Sequence, residues 1–195
     1  MKRQQDKEKG CQLIEELRKK AGNCDIALCR RLINEGADVR MKDWLNDTAL
    51  ALAAEEGHAD IIRPLIDAGA DIDMQMGDNR WTALIEAAWR GHTATVLTLI
   101  HCGAKLDIQE KSGGWTALML ATMNNHTNIV QALIAAGADT TLKDKKKRTA
   151  YDIATQHDYH APAEILRIQH VKQTFSAAAK AGTPRARKIW RAPKT

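Results

Sequence analysis

The chain has 195 residues, 44% of them hydrophobic but only 4% aromatic, and a formal net charge of +5. That length fits one compact domain or one short repeat array, and an interior of Ala, Leu and Ile suits close helix packing. No run approaches the roughly 20 apolar residues of a membrane span, and the charged N-terminus lacks the apolar core of a secretory signal. Cys11, Cys24, Cys29 and Cys102 form no Cys-x-x-Cys and no disulfide framework, so reduced, mostly buried thiols and a cytoplasmic or nuclear setting are expected. A bacterial effector delivered into a host cell by another kind of signal stays open.

The charge is segregated along the chain. Residues 1–42 carry +4, residues 43–78 carry −8, residues 79–138 carry +1 and residues 139–195 carry +8. This polarity bears on partners more than the total does.

Residues 1–8 read as a charged lead. From about Lys9 to Lys20, Ile14, Leu17 and Ala21 fall at helical spacing, and Gly22-Asn23 stops that helix. A second helix over about Asp25–Asn34 turns Ile26, Leu28, Cys29, Leu32 and Ile33 inward and ends at Gly36. The pair predicts a helical hairpin whose polar outer face caps one end of a stack.

From Gly36 onward the chain is periodic. Thr-Ala opens a block at Thr48, Thr82, Thr116 and Thr149, spaced 34, 34 and 33 residues apart, and Gly-Ala closes one at Gly36, Gly69, Gly103 and Gly137. Each Thr suits a helix N-cap. A short helix such as Ala49–Glu56 then stops at Gly57, and His58 turns the chain into a second helix carrying Ile61, Ile62, Leu65 and Ile66. Pro64 removes one early hydrogen bond there. About ten extended or turning residues, for example Asp71–Arg80, return the chain to the next Thr. In the central unit Leu84, Ala87, Ala88, Val96, Leu97 and Ile100 are the candidate core.

A Thr-initiated helix, a central Gly-His and a terminal Gly-Ala at a 33–34-residue period resemble the ankyrin repeat. The resemblance covers roughly residues 9–170. It implies an all-α solenoid of about five stacked helix-turn-helix units (9–42, 43–76, 77–110, 111–143 and 144–172) with projecting hairpin-like loops. The family's helix-start Pro is Ala49, Ala83, Ala117 and Ala150 here, and its His is Ala51, Ile85, Met119 and Asp152. Loss of that His removes the bonds that tie adjacent loops in the family, which predicts loop mobility.

The last unit is irregular. Asp158-Tyr159 stands in place of Gly-His, and Pro162 lies near the start of a terminal helix over about Ala163–Lys172. Residues 173–195 read as a basic flexible tail interrupted at Gly182-Thr-Pro184.

Chemistry is sparse. His58, His92 and His126 recur every 34 residues, but stacked equivalents lie one helix spacing apart, roughly 8–10 Å, too far to share a metal ion. They read as turn-bonding residues, and His157 and His160 as solvated ones. Nucleotide-binding and nucleophile motifs are missing, Gly113-Gly114 reads as a turn, and the carboxylate pairs Asp71/Asp73 and Glu55/Glu56 read as solvent face. These features imply no enzyme, no metal and no cofactor.

Tryptophan placement is the stronger signal. By the resemblance, loop tips and the exposed side of the first helices form a concave partner-binding face, to which Trp44, Trp81, Trp89, Trp115 and Met123 map as apolar anchors, flanked by Arg80 and Arg90. For Trp81 and Trp115, packing across the loop onto the next repeat is the alternative. A second cluster, Lys145, Lys146, Lys147 and Arg148, continues into the tail with Arg185, Arg187, Lys188 and Arg191 around Trp190. It suits polyanions, an anionic membrane or nuclear import, or serves solubility. The expected function is therefore recognition of a client protein by a monomeric array. The alternative is an adaptor targeted by its basic end. The −8 and +8 segments add salt-sensitive self-association as a third prospect.

Overall fold

The computed structural model describes residues 2–19 and 23–180. Ten helices occupy them: α1 (Lys2–Leu17), α2 (Ile26–Asn34), α3 (Ala49–Glu55), α4 (Ala59–Asp67), α5 (Ala83–Arg90), α6 (Thr93–His101), α7 (Ala117–Met123), α8 (Thr127–Ala135), α9 (Ala150–Gln156) and α10 (His160–Lys180). Odd-numbered helices pack on one another in series, even-numbered helices do the same, and each pair forms a hairpin. This is the expected all-α solenoid of five units. Among the described residues the only β-type pairing is two isolated bridges, Lys42 with Thr48 and Met76 with Trp81.

The periodic residues act at helix ends. Thr48, Thr82, Thr116 and Thr149 each accept from the amide three residues on, at 3.2–3.3 Å, supplying a partner worth about 1 kcal/mol to a helix start. Thr149 adds a reciprocal bond from its own amide to Asp152. At the other end the Gly-Ala glycines adopt φ between 88° and 99°. That turn lets the Ala amide reach back to the carbonyl five residues earlier, from Ala37 to Leu32, Ala70 to Leu65, Ala104 to Leu99 and Ala138 to Leu133.

Small residues on the first helices and branched residues on the second fill the core. Leu84, Ala87, Ala88 and Val96 are buried as the sequence suggests, but Leu97 is 40% exposed and Ile100 only packs at the margin. The inward stripe of α6 is Thr95, Val96 and Leu99. It is in register with Ile61, Ile62 and Leu65 of α4 and with Ile129, Val130 and Leu133 of α8, so stacking fixes the face. Thr95 therefore buries a hydroxyl that has no hydrogen-bond partner.

The repeats are coupled through their histidines. Nε2–H of His58 donates to the Lys19 carbonyl at 2.8 Å, that of His92 to Glu55 at 2.8 Å and that of His126 to Trp89 at 3.2 Å, each time crossing to the preceding unit. The Gly-His pair works across this boundary. Gly91, at φ 84°, faces the His126 ring so closely that a Cβ would lie 2.6 Å from Cε1.

The ends differ from the sequence reading. The first helix begins at Lys2 rather than near Lys9, taking in the charged lead. Gly10 lets the 38–41 loop close on it, because an added Cβ would meet the Asp38 carbonyl at 3.0 Å, and the Asp38 amide donates to the Asp6 carbonyl. The last helix continues past Lys172 to Lys180 through Ala177-Ala178-Ala179, whose helix propensity is high. Gly182 and the rest of the tail lie outside the described residues. Of the cysteines only Cys29 is buried, and Cys11 is exposed. Burial pushes the Cys29 thiol up to about 12.

Pro64 sits inside α4 and frees the Asp60 carbonyl of its helical partner. Arg30 of α2 takes its place, donating through Nη2 at 2.7 Å.

Candidate recognition face

The loops are built around buried carboxylates. Glu110, 2% exposed, accepts from Ser112 N and Oγ at 2.6 Å, from Trp115 N at 3.2 Å, and from Gly113 N. The Gly pair thus wraps a protein carboxylate and offers no phosphate cradle. Asp43 accepts from the Leu45 and Asp47 amides, and Asp144 from the Arg148 amide. Burial pushes Glu110 and Asp144 up, but these hydrogen bonds outweigh it and hold both below the usual carboxylate range. Met76 occupies the corresponding place in the remaining loop and accepts from the Thr48 hydroxyl at 3.1 Å. The recurrence of Asp43, Met76, Glu110 and Asp144 at 33–34 residues is a signal that reading for Thr, Gly and His alone passes over.

These loops are tied together by bonds other than those of the missing motif His. The Lys111 amide donates to Asn79 O and the Lys145 amide to Gly113 O, both at 2.8 Å, and Gln109 Nε2 reaches Lys143 O at 2.9 Å. Backbone bonds replace the side-chain bond, while Ile85 and Met119, in the His position, are buried.

At the equivalent position of each loop tip the backbone is left-handed: Asn46, Arg80, Gly114 and Lys147, with φ of 68°, 57°, 70° and 65°, and the Arg80 loop adds Gly77 at 64°. Gly and Asn adopt this region readily, whereas Arg and Lys do so at a cost of about 1 kcal/mol. Arg80 and Lys147 are exposed there.

Behind Arg80 lies an aromatic pair. Trp81 and Trp89 meet edge to face, with centroids 5.2 Å apart at 83°, and both are half-buried. Arg90 lies 4.9 Å above the Trp89 ring, donates to Glu86 Oε1 at 3.0 Å, and forms an ion pair with Glu55 of the preceding unit. Met123 holds the equivalent place one repeat on and is partly buried. The Trp81 indole N–H is buried with no acceptor. Trp115 differs, because its indole N–H donates to Asp144 of the next loop at 3.2 Å. Trp44 is 85% exposed, with Arg18 5.9 Å from its ring centroid.

Between α3 and α5 a cavity of about 190 Å³ is lined by Asp47, Glu55, Asp78, Trp81 and Glu86. Burial and the charge of Glu55 push Asp47 above its ordinary range. Burial also raises Glu86, with Glu55 adding to it and Arg90 opposing. Arg90 answers Glu55 and Glu86, and Asp47 and Asp78 are the carboxylates it leaves.

The basic cluster divides. Arg148 bonds Asp144 and Gln156, and Lys145 reaches the Lys111 carbonyl, which leaves Lys146 and Lys147 exposed at the tip. Arg185, Arg187, Lys188 and Arg191 lie outside the described residues. Among the described residues no three His, Cys, Asp or Glu side chains gather as metal ligands would.

Stacked helical hairpins, each packed on its neighbours and carrying a row of stapled loops, define a repeat scaffold of the kind that recognises other proteins. The family model for ankyrin repeats, in three copies, matches residues 17–111 and 103–174, and the chain belongs to the ankyrin repeat family. Ankyrin repeats are generally protein-interaction modules and typically non-catalytic. No curated protein matches the chain.

Proposed function

We propose that the array is a non-catalytic recognition module that grips a client protein on the face formed by its loop tips and first helices. Trp81, Trp89 and Met123 supply the apolar centre, Arg80 and Arg90 its polar border, and Trp44 and Trp115 its flanks. The observation that carries this reading is Arg80. It projects from a left-handed tip beside the Trp81–Trp89 pair, at the position where the next loop has the unstrained Gly114, and retained strain of this kind accompanies function. Trp and Arg are also the side chains most enriched at interface hot spots. The experiment is quantitative affinity capture by the full chain and by its Arg80→Glu and Trp89→Ala variants, each checked for native thermal unfolding. Loss of the same captured proteins in both variants supports the reading, and unchanged recovery refutes it.

Lys147 favours a second role for the other end. It too is held left-handed, next to exposed Lys146, so an adaptor that meets a polyanion through this tip and the basic tail is the alternative. Lys146→Glu with Lys147→Glu then lowers the salt dependence of polyanion binding by about two counterions.

A further inference from the structure

Trp44 and Leu45 are exposed by 85% and 47% on the turn that precedes α3. Trp44 borders a cavity of about 340 Å³ whose apolar wall is Cys11, Ile14 and Met41, with Glu15 and Lys42 also lining it. Arg18, also in this wall, is neutralised by Asp43. On the other side of the same turn is the cavity lined by Asp47, Glu55, Asp78 and Glu86, in which Arg90 balances Glu55 and Glu86 and leaves Asp47 and Asp78 as the acidic pair. An apolar socket and an acidic one therefore lie one repeat apart, roughly 8–10 Å.

The chain itself contains a segment with the complementary pattern. In Arg187-Lys188-Ile189-Trp190-Arg191 a Trp stands two to three residues after a basic pair, a separation of about 7–10 Å in extended chain. We propose that this segment of a second copy docks there in trans, with Trp190 in the Trp44 cavity and Arg187 and Lys188 over Asp47 and Asp78. The charge segregation of the sequence, −8 over residues 43–78 and +8 over residues 139–195, agrees with this pairing.

Reach selects the second copy over the chain's own tail. From the cavity between α1 and α3 to α9 there are three to four helix spacings, about 24–40 Å. Trp190 lies ten residues beyond Lys180 and extends at most about 36 Å, so a tail folding back on its own array would be stretched over most of its length, whereas the tail of a second copy carries no such constraint. The contact is heterologous, tail to groove, and grows into open chains. It goes beyond client recognition and is read by mass alone, so either reading can fail without the other.

The test is sedimentation velocity of the full chain across protein concentration at low and high salt. The wild type associates at low salt and returns to monomer at high salt. Trp44→Ala and Trp190→Ala each raise the dissociation constant at least about tenfold; Trp44 is exposed, and thermal unfolding of each variant shows that the fold is kept. An equimolar mixture of the two variants restores a one-to-one dimer that grows no further, because one copy keeps its tail and the other its groove. A wild type that stays monomeric at every concentration, a Trp44→Ala variant that still associates, or a mixture that stays monomeric overturns the proposal.

Discussion

Arg90 of α5 reaches back to Glu55 of α3 and forms an ion pair across a repeat boundary. The same guanidinium bonds Glu86 and covers the Trp89 ring, so one side chain both joins two repeats and shapes the proposed recognition face. Arg90→Ala costs little stability, less than about 1 kcal/mol, because the side chains concerned are partly solvated. It lowers client affinity by about tenfold or more, since it strips the ring and leaves Glu55 and Glu86 unbalanced. Chemical denaturation and a binding titration on the same sample separate the two effects.

Arg80→Gly relieves a left-handed tip. It raises stability by about 0.5–1 kcal/mol, the conformational strain being partly offset by the entropy of the Gly chain. Client affinity falls at the same time. An Arg80→Gly protein that is more stable and binds equally well removes Arg80 from the site.

Thr95 buries a hydroxyl without a partner, in register with Ile61 and Ile129. Thr95→Val keeps the shape and removes the polar atom, so it stabilises the array by about 1 kcal/mol in urea titration.

Gly91→Ala costs more than about 2 kcal/mol, because the new methyl meets the His126 ring and sits at φ 84°. Removing the ring as well with His126→Ala recovers part of the loss. The remainder measures the backbone strain.

Acid loosens the loops before the helices. Glu110 and Asp144 are held below their ordinary values of 4.5 and 3.8, so the stability they contribute is complete above those values and disappears as pH falls through the lower folded ones. The protection factors of the Ser112, Gly113, Trp115 and Arg148 amides, taken against their intrinsic rates at each pH, therefore fall on acidification in that window more than those within α6 or α8. Glu110→Gln blunts the response at its own loop.

The helix hairpins are legible in the sequence because capping Thr and terminal Gly-Ala report local backbone chemistry at a fixed period. Ankyrin-type stacking comes from the same residues. Periodicity misplaces Leu97 because its helix is apolar on several sides, and only the register with Ile61 and Ile129 decides which stripe faces in. The loop bonds escape it because they run between main chains, which no side chain announces. Trp89 and Arg90 stand out as deviations from a small-residue pattern. Arg80 is recognisable by its charge alone, and its left-handed backbone needs coordinates.

The most direct measurement is the affinity of the full chain for a captured client, compared with Arg80→Glu, by calorimetric titration at matched stability. Arg80 is exposed, so the variant folds as the wild type does. The Arg80→Glu variant is expected to bind tenfold or more weakly. Equal affinity in the two proteins would contradict that and move the recognition surface elsewhere on the array.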